Sequence, residues 1–514
     1  MNSSSRIAIN TVIQYVQLFT NLLISLVTVR VLLKALGVED YGVYNLIGGV
    51  VSLLSFISSS LSQTSIRFIS VSLGKGNDKN KTKDVVSACF SLHLYIAFLL
   101  AIIIEIVGFF LFDGFFNIPP DRIHAAQIVY HCTVLTLIVS IVSTPFQAIL
   151  TSHERFVFLS LVAIGISILK LLIAYTVSVV QIDKLILYGI LMTLVSITDF
   201  ICYVLFCVVK HRDCIGLRLL GFSSIRPIMG FASWTLLDVL STVINRQGYA
   251  ITLNKFFGPT VNSAYAIGGQ TSAALFPLSS SIINTMKPQI LKSYGAGDTR
   301  RSLRLSISAG KFGFTLLSMV SIPLLVFMPE VLSIWLGDVP NGAVFIARVK
   351  VLANMVEQLT RGLVYVNQAE GNIKWFSIIV SCTRMLALPI SIVCMLGGAT
   401  METAMLVFLG CEALASFVRV LVMTHKTELK ISDYLKSILF QVLPSFLMCL
   451  LLCIIASRYA KGILGLFTIS GLSAAVYLAL MYSIGLNRIE RFSINNMIRV
   501  FYYKFIGHKA VNNL

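Results

Sequence analysis

Arg67, Arg246, Lys287, Lys170 and Arg361 stand inside or at the ends of long apolar stretches of this 514-residue chain. An ionised group in such surroundings costs several kcal/mol unless water, a counter-charge or a ligand receives it. Cations gathered around a polar cavity suit an anionic ligand, and phosphate or diphosphate is the anion that arginine clamps well. Asp238, Glu357 and Asp199 are acids in comparable positions. A desolvated carboxyl group can take up and release a proton, the step that ion coupling requires.

Each of these charges also has a plainer reading. Arg67 and Lys287 fall near stretch ends, where a long basic side chain reaches the lipid headgroups without further purpose. Glu357 and Arg361 are four residues apart and can pair on one helix face. Lys170 and Arg384 have no acid close in sequence, so either could line a cavity or pair across helices; Glu105 and Glu412 are further acids in apolar stretches. Asp238 is the first choice for coupling because of the stripe on which it lies, and a hydrogen-bonded structural role is its alternative.

The elements that must position these groups are membrane helices. The composition is 57% hydrophobic and 12% charged, with mean hydropathy +0.87, far from that of a soluble domain. A helix needs about 20 mainly apolar residues to cross the hydrocarbon core, and fourteen such windows are predicted, at 7–29, 42–66, 85–112, 123–150, 156–180, 184–209, 227–253, 259–286, 305–328, 344–366, 374–397, 402–422, 435–457 and 463–485. The connections are short, and MNSSSR leads straight into the first span with no cleavable signal evident. The fold class is therefore an all-α polytopic membrane protein.

The net charge of +18 is not the patch that nucleic acid requires, because Lys and Arg alternate between loops. With the N-terminus inside, 23 basic residues fall on inside segments and 7 on outside ones. That bias places both termini in the cytoplasm. Ten cysteines without CxxC spacing suggest neither disulfides nor a zinc site, and no metal or cofactor is expected.

Sliding the chain against itself by 221 residues aligns Gly37, Tyr44, Gly48, Ser58–Ser60, Gly74 and Gly76 with Gly258, Tyr265, Gly269, Ser279–Ser281, Gly295 and Gly297. Spans 2 and 8 are thus copies separated by six spans and point the same way, as in transporters built from two parallel lobes. The expected organisation is an N-terminal lobe over 1–215, a C-terminal lobe over 216–430, two extra spans over 431–485 and a basic tail over 486–514. Span 1 carries a one-sided polar stripe that includes Gln14, Gln17, Asn21 and Ser25, and span 7 carries Asp238, Ser241 and Asn245. Lipid cannot receive such faces. Either they line a hydrated cavity between the lobes or they make helix–helix hydrogen bonds within each lobe.

RVLLKALGVEDYGVYNLI at the end of span 1, RFIS at 67–70, STPFQAILTSHERF at 143–156 and VNQAEGNIKW at 366–375 make the chain resemble the polysaccharide and O-antigen flippases of the multidrug/oligosaccharidyl-lipid/polysaccharide exporter superfamily. The resemblance covers essentially the whole chain, and the relatives diverge widely. It implies a MATE-like fold of two six-helix lobes, here with two added C-terminal helices. It also implies alternating access and a cargo of undecaprenyl-diphosphate-linked oligosaccharide, the O-antigen, capsule or exopolysaccharide repeat unit, carried across the bacterial inner membrane. Basic cavity residues, Arg30 among them, would engage the diphosphate and the glycan. Membrane lipids, a polysaccharide polymerase and glycosyltransferases are the implied partners. Fourteen spans also suit a lipid II flippase, and small-molecule or cation antiport is a further alternative.

Enzymatic readings have no support in the motifs. HExxH, GxSxG and Walker A patterns are missing from the sequence. GAGD at 295–298 imitates an intramembrane aspartic protease motif, but it would lie in a loop beside Arg300 and Arg301, and its repeat mate is GKGN.

Overall fold

The computed structural model describes residues 3–52, 55–76, 79–112, 118–215, 217–459, 462–487, 490–491 and 495. Within helical parts of that range the side chains of Arg6 and Lys79 lie outside the description, as do Lys461 and most of the expected tail. Every regular element among the described residues is a helix. Eleven of them are long and apolar enough to cross a membrane.

The three remaining expected spans are also helical, and their polarity sets them apart. They fall on Ser55–Gly74, on the segment from Gly258 to Gly295, and on Ala343–Glu370. At 1.5 Å per residue the 28-residue Ala343–Glu370 helix is about 42 Å long, ample for a bilayer. What it lacks is apolarity, because it carries Arg348, Lys350, Glu357 and Arg361. Only packing inside protein can accommodate such a helix in lipid, and Lys350, Gln358, Asn367 and Gln368 are indeed buried.

The 221-residue repeat is visible in the backbone. Gly37 interrupts the Ser3–Ser52 helix at φ 81°, ψ 171°, and Gly258 interrupts Phe222–Gly295 at φ 80°, ψ −176°. That region is essentially closed to residues with a Cβ. Gly76 and Gly297 share a second left-handed position at φ 88° and 85°.

The chain divides into two compact units, one formed by residues 12–239 and 291–297, the other by 1–11, 240–290 and 298–514. In the first, Ile123–Ser152 packs against both Lys79–Phe110 and Lys184–Lys210. In the second, Ala343–Glu370 packs in the same way against Thr299–Val326 and Met401–Lys426. The close approach in the second unit depends on small residues. A Cβ on Gly310 would run into the Leu359 carbonyl, and one on Gly362 into the Ser306 carbonyl, the kind of backbone contact by which membrane helices associate. The helices over Leu443–Ala456 and Gly462–Leu480 are appended to Thr299–Val326. Lys311, almost fully buried on that helix, is held there by Glu490 at 2.7 Å and Gln441 at 2.8 Å.

Candidate functional site

Polar side chains on the central helix of the second unit recur at Lys350, Asn354, Glu357 and Arg361, spaced 4, 3 and 4, which is a single helix face. The segment after Gly258 runs alongside and supplies the opposite rungs. Lys350 Nζ sits 3.2 Å from the Tyr265 ring centroid and donates to the Tyr265 carbonyl at 3.1 Å. Asn354 donates to Ser272 Oγ at 2.6 Å. The Arg361 guanidinium lies 4.9 Å over the Phe276 ring, and Lys287 Nζ lies 5.0 Å over that of Tyr365. Gly269 leaves room for the first rung, since a Cβ there would be 3.3 Å from Lys350 Nζ. From Lys350 to Arg361 the face extends about 16 Å along the helix axis.

Neither ammonium is compensated by a carboxylate among the described residues, although Lys287 is 4% and Lys350 8% exposed. Their charged neighbours have the same sign: Arg361 acts on Lys287, and Arg246 acts on Lys350. A buried, unpaired ammonium costs several kcal/mol, and cation–π contacts with Tyr365 and Tyr265 offset about 2 kcal/mol of that.

The acids of this region are already engaged. Arg384 clamps Glu412 through Nε and Nη2, both at 3.0 Å, and reaches Glu357 at 3.3 Å. Arg361 pairs with the same Glu357 oxygen at 3.2 Å, and Arg419 lies 3.9 Å from Glu357 and 3.7 Å from Glu412. Thr242 and Thr360 take further guanidinium donors, from Arg384 at 3.2 Å and Arg419 at 3.1 Å. Two carboxylates thus serve three guanidinium groups, with Arg246, Lys287 and Lys350 close by. The balance is cationic, in the part of the chain where uncompensated charge costs most.

Several residues singled out in the sequence are placed elsewhere. Arg246 is exposed, while its neighbour Asn245 is buried and donates to the Arg384 carbonyl at 2.9 Å. Ser241 is fully buried within the same unit. In the first unit, Arg67 packs its guanidinium over Phe68 at 4.3 Å and Phe231 at 5.0 Å. Gln17 accepts from Ser160 Oγ at 2.6 Å, a helix–helix bond within that unit, whereas Gln14 and Asn21 are half-buried and Ser25 is exposed. Asp199 bonds Tyr203 and feels the charge of Lys170, and Asp238 is half-buried with a partner of its own. Arg30 lies apart with Lys34 and Tyr175 around a cavity of about 560 Å³.

Lys350 and Arg419 were not singled out in the sequence. The local signal for each is a spacing of seven on one helix face, Lys350 before Glu357 and Arg419 after Glu412. The Ile123–Ser152 helix holds the equivalent central place in the first unit and contains no Lys, Arg, Asp or Glu. Two similar packings therefore carry very different charge.

Comparison with known proteins places this fold. No family model and no curated protein matches the chain. Among solved structures it is similar to an outward-facing multidrug resistance MATE family transporter of the MOP superfamily, at 12% identity and TM-score 0.70, covering 83% of this chain and 96% of that one. It is also similar to the MATE transporter ClbM in complex with Rb+, at 15% identity and TM-score 0.65, covering 84% and 96%. A third is a MOP superfamily transporter from Pyrococcus furiosus, whose binding pocket of reverse polarity is said to suggest a different function; identity is 13%, TM-score 0.64, and coverage 83% and 96%. The chain has the MATE-like fold.

Proposed function

We propose that this protein is a transporter that moves a polyprenyl-diphosphate-linked oligosaccharide from the inner to the outer leaflet of a bacterial inner membrane. It works by alternating access, the mode of transporters built from paired repeats. Both termini face the cytoplasm, as the distribution of basic loop residues requires. The observation that carries this reading is the cationic face of the second unit, where Lys287 and Lys350 are buried without a carboxylate partner among the described residues. A diphosphate would supply the missing counter-charge, with Arg361 and Arg246 as its further ligands. Rows of hydroxyl and amide groups such as Ser272 and Asn354 suit a glycan, which offers many hydroxyls in no fixed arrangement. Export of a cation, the alternative that the fold itself brings forward, is opposed by the sign of this charge. The Pyrococcus furiosus transporter, with a pocket of reverse polarity, supports the view that this fold accommodates cargo of either sign.

Asp238 and Asp199 are the proposed proton-coupling acids, since Glu357 is already engaged as a shared counter-ion of Arg361 and Arg384. The test is to delete the gene and identify by mass spectrometry which polyprenyl lipids accumulate. An intact diphosphate-linked oligosaccharide on the cytoplasmic leaflet is the expected result. Accumulation of lipid II would reassign the cargo to peptidoglycan synthesis, and an unchanged lipid profile would refute the proposal.

A further inference from the structure

A cluster in the first unit belongs to none of this machinery. The helices Ile123–Ser152 and Lys184–Lys210 end side by side, and the residue after each is a histidine. The His153 and His211 rings lie 4.0 Å apart between centroids, and they open onto a cavity of about 410 Å³. Its walls include Ser72, Thr82, Lys210 and Arg212.

Charge and donors around the cavity favour an anion. Arg155 Nε approaches His211 Nε2 at 3.4 Å, and Lys292 stands beside both rings, paired at 3.1 Å with Glu154. Asp213 also lines the cavity but has a partner of its own. Among the described residues no carboxylate pairs with Lys210 or Arg212. The Ser72 and Thr82 hydroxyls on its wall are 3.0 Å apart and hydrogen-bonded to each other. Thr82 lies near the start of the 32-residue Lys79–Phe110 helix, the end at which a helix dipole favours negative charge. The other two helices bring their carbonyl ends to the same place, where the His153 and His211 N–H groups donate to the Ile149 and Cys207 carbonyls at 3.0 and 2.8 Å. Cys214 Sγ lies 3.8 Å from His153 Nε2, yet no trio of His, Cys, Asp or Glu among the described residues is arranged to hold a metal.

We propose that this cavity binds a phosphate group, with Lys210 and Arg212 as its cationic ligands and His153 and His211 as ligands that gain charge when the anion arrives. Burial, with Arg155 and Lys292 adding to it, holds both imidazoles below their ordinary range. A bound phosphate anion opposes that field, so binding draws protons onto the imidazoles and tightens as pH falls towards 6. Two sources offer this chemistry at the end of a membrane helix: an anionic phospholipid headgroup and a soluble phosphate compound.

The experiment is calorimetric titration of the full-length protein with inorganic phosphate at pH 6 and pH 8, in nanodiscs of phosphatidylcholine alone and in nanodiscs containing phosphatidylglycerol. Saturable binding in phosphatidylcholine, at least tenfold weaker in Lys210→Gln/Arg212→Gln and accompanied by proton uptake, is expected. Its disappearance in phosphatidylglycerol would identify the headgroup as occupant; its persistence would identify a soluble ligand. Absence of saturable binding in phosphatidylcholine would overturn the proposal, as would equal binding by the double variant. If the double variant does not fold, His211→Asn replaces it, and unchanged affinity and proton uptake in that variant would be equally fatal.

Discussion

Replacing Glu412 with glutamine removes one charge and little volume from a deeply buried ionic network. Glu412 receives Arg384 Nε and Nη2 at 3.0 Å each, with Arg419 Nη2 at 3.7 Å, and Arg384, Arg419 and Glu412 are all less than a tenth exposed. The amide keeps one acceptor oxygen and turns an N–H group towards a guanidinium nitrogen. One charge-assisted bond is lost, at about 1.5–3 kcal/mol, and the other is weakened because the charged guanidinium now meets a neutral acceptor. Glu357, at 3.3 Å from Arg384, remains as counter-ion and limits the damage. The expected loss is about 3 kcal/mol, at the lower end of the range for breaking a buried pair. Reversible SDS unfolding in mixed micelles measures it. Arg384→Gln/Glu412→Gln should be less destabilised than the sum of its two single variants, because neither charge is then left alone. A loss below about 0.5 kcal/mol for Glu412→Gln, or strict additivity in the double variant, would refute the network as described.

Gly258→Ala forces a Cβ into the φ 80°, ψ −176° region, at a cost of about 1–3 kcal/mol; the same unfolding assay should show it, with Gly37→Ala behaving alike. Gly362→Leu places a side chain against the Ser306 carbonyl and should prevent the central helix from docking, read as loss of the monodisperse peak in size-exclusion chromatography. His211 is held at about 4 in place of 6.5 by burial, with His153, Arg155 and Lys292 adding to it. The unfolded chain therefore takes up this proton first, so its effect on stability is absent above about pH 6.5 and grows as pH falls from there to 4. His211→Asn should flatten that limb of the stability–pH curve.

The sequence reveals the parts of this architecture that depend on local signals. Apolar windows mark the helices, and the repeat marks Gly37 and Gly258, because a backbone conformation closed to other residues leaves glycine in both copies. The Glu357–Arg361 pair is legible from its spacing of four. Legibility stops where partners come from distant turns. Arg384 meets Glu412, 28 residues on, only because the helices over Lys374–Met385 and Met401–Lys426 pack together. Asn245 looks like a cavity residue on a helical wheel, yet it serves the Arg384 carbonyl. The polarity of spans 8 and 10 has one physical origin: each is sheltered by protein, so each can carry the lysine that lipid would reject.

The central claim is that the buried ammonium groups of the second unit bind the diphosphate. Binding of undecaprenyl diphosphate to the purified protein and to Lys287→Met and Lys350→Met, measured by native mass spectrometry, tests it most directly. Loss of one charge-assisted contact at about 1.5–3 kcal/mol predicts affinity lower by about 10- to 150-fold in each variant, with undecaprenol binding unchanged. Diphosphate binding at full strength in both variants would contradict the account.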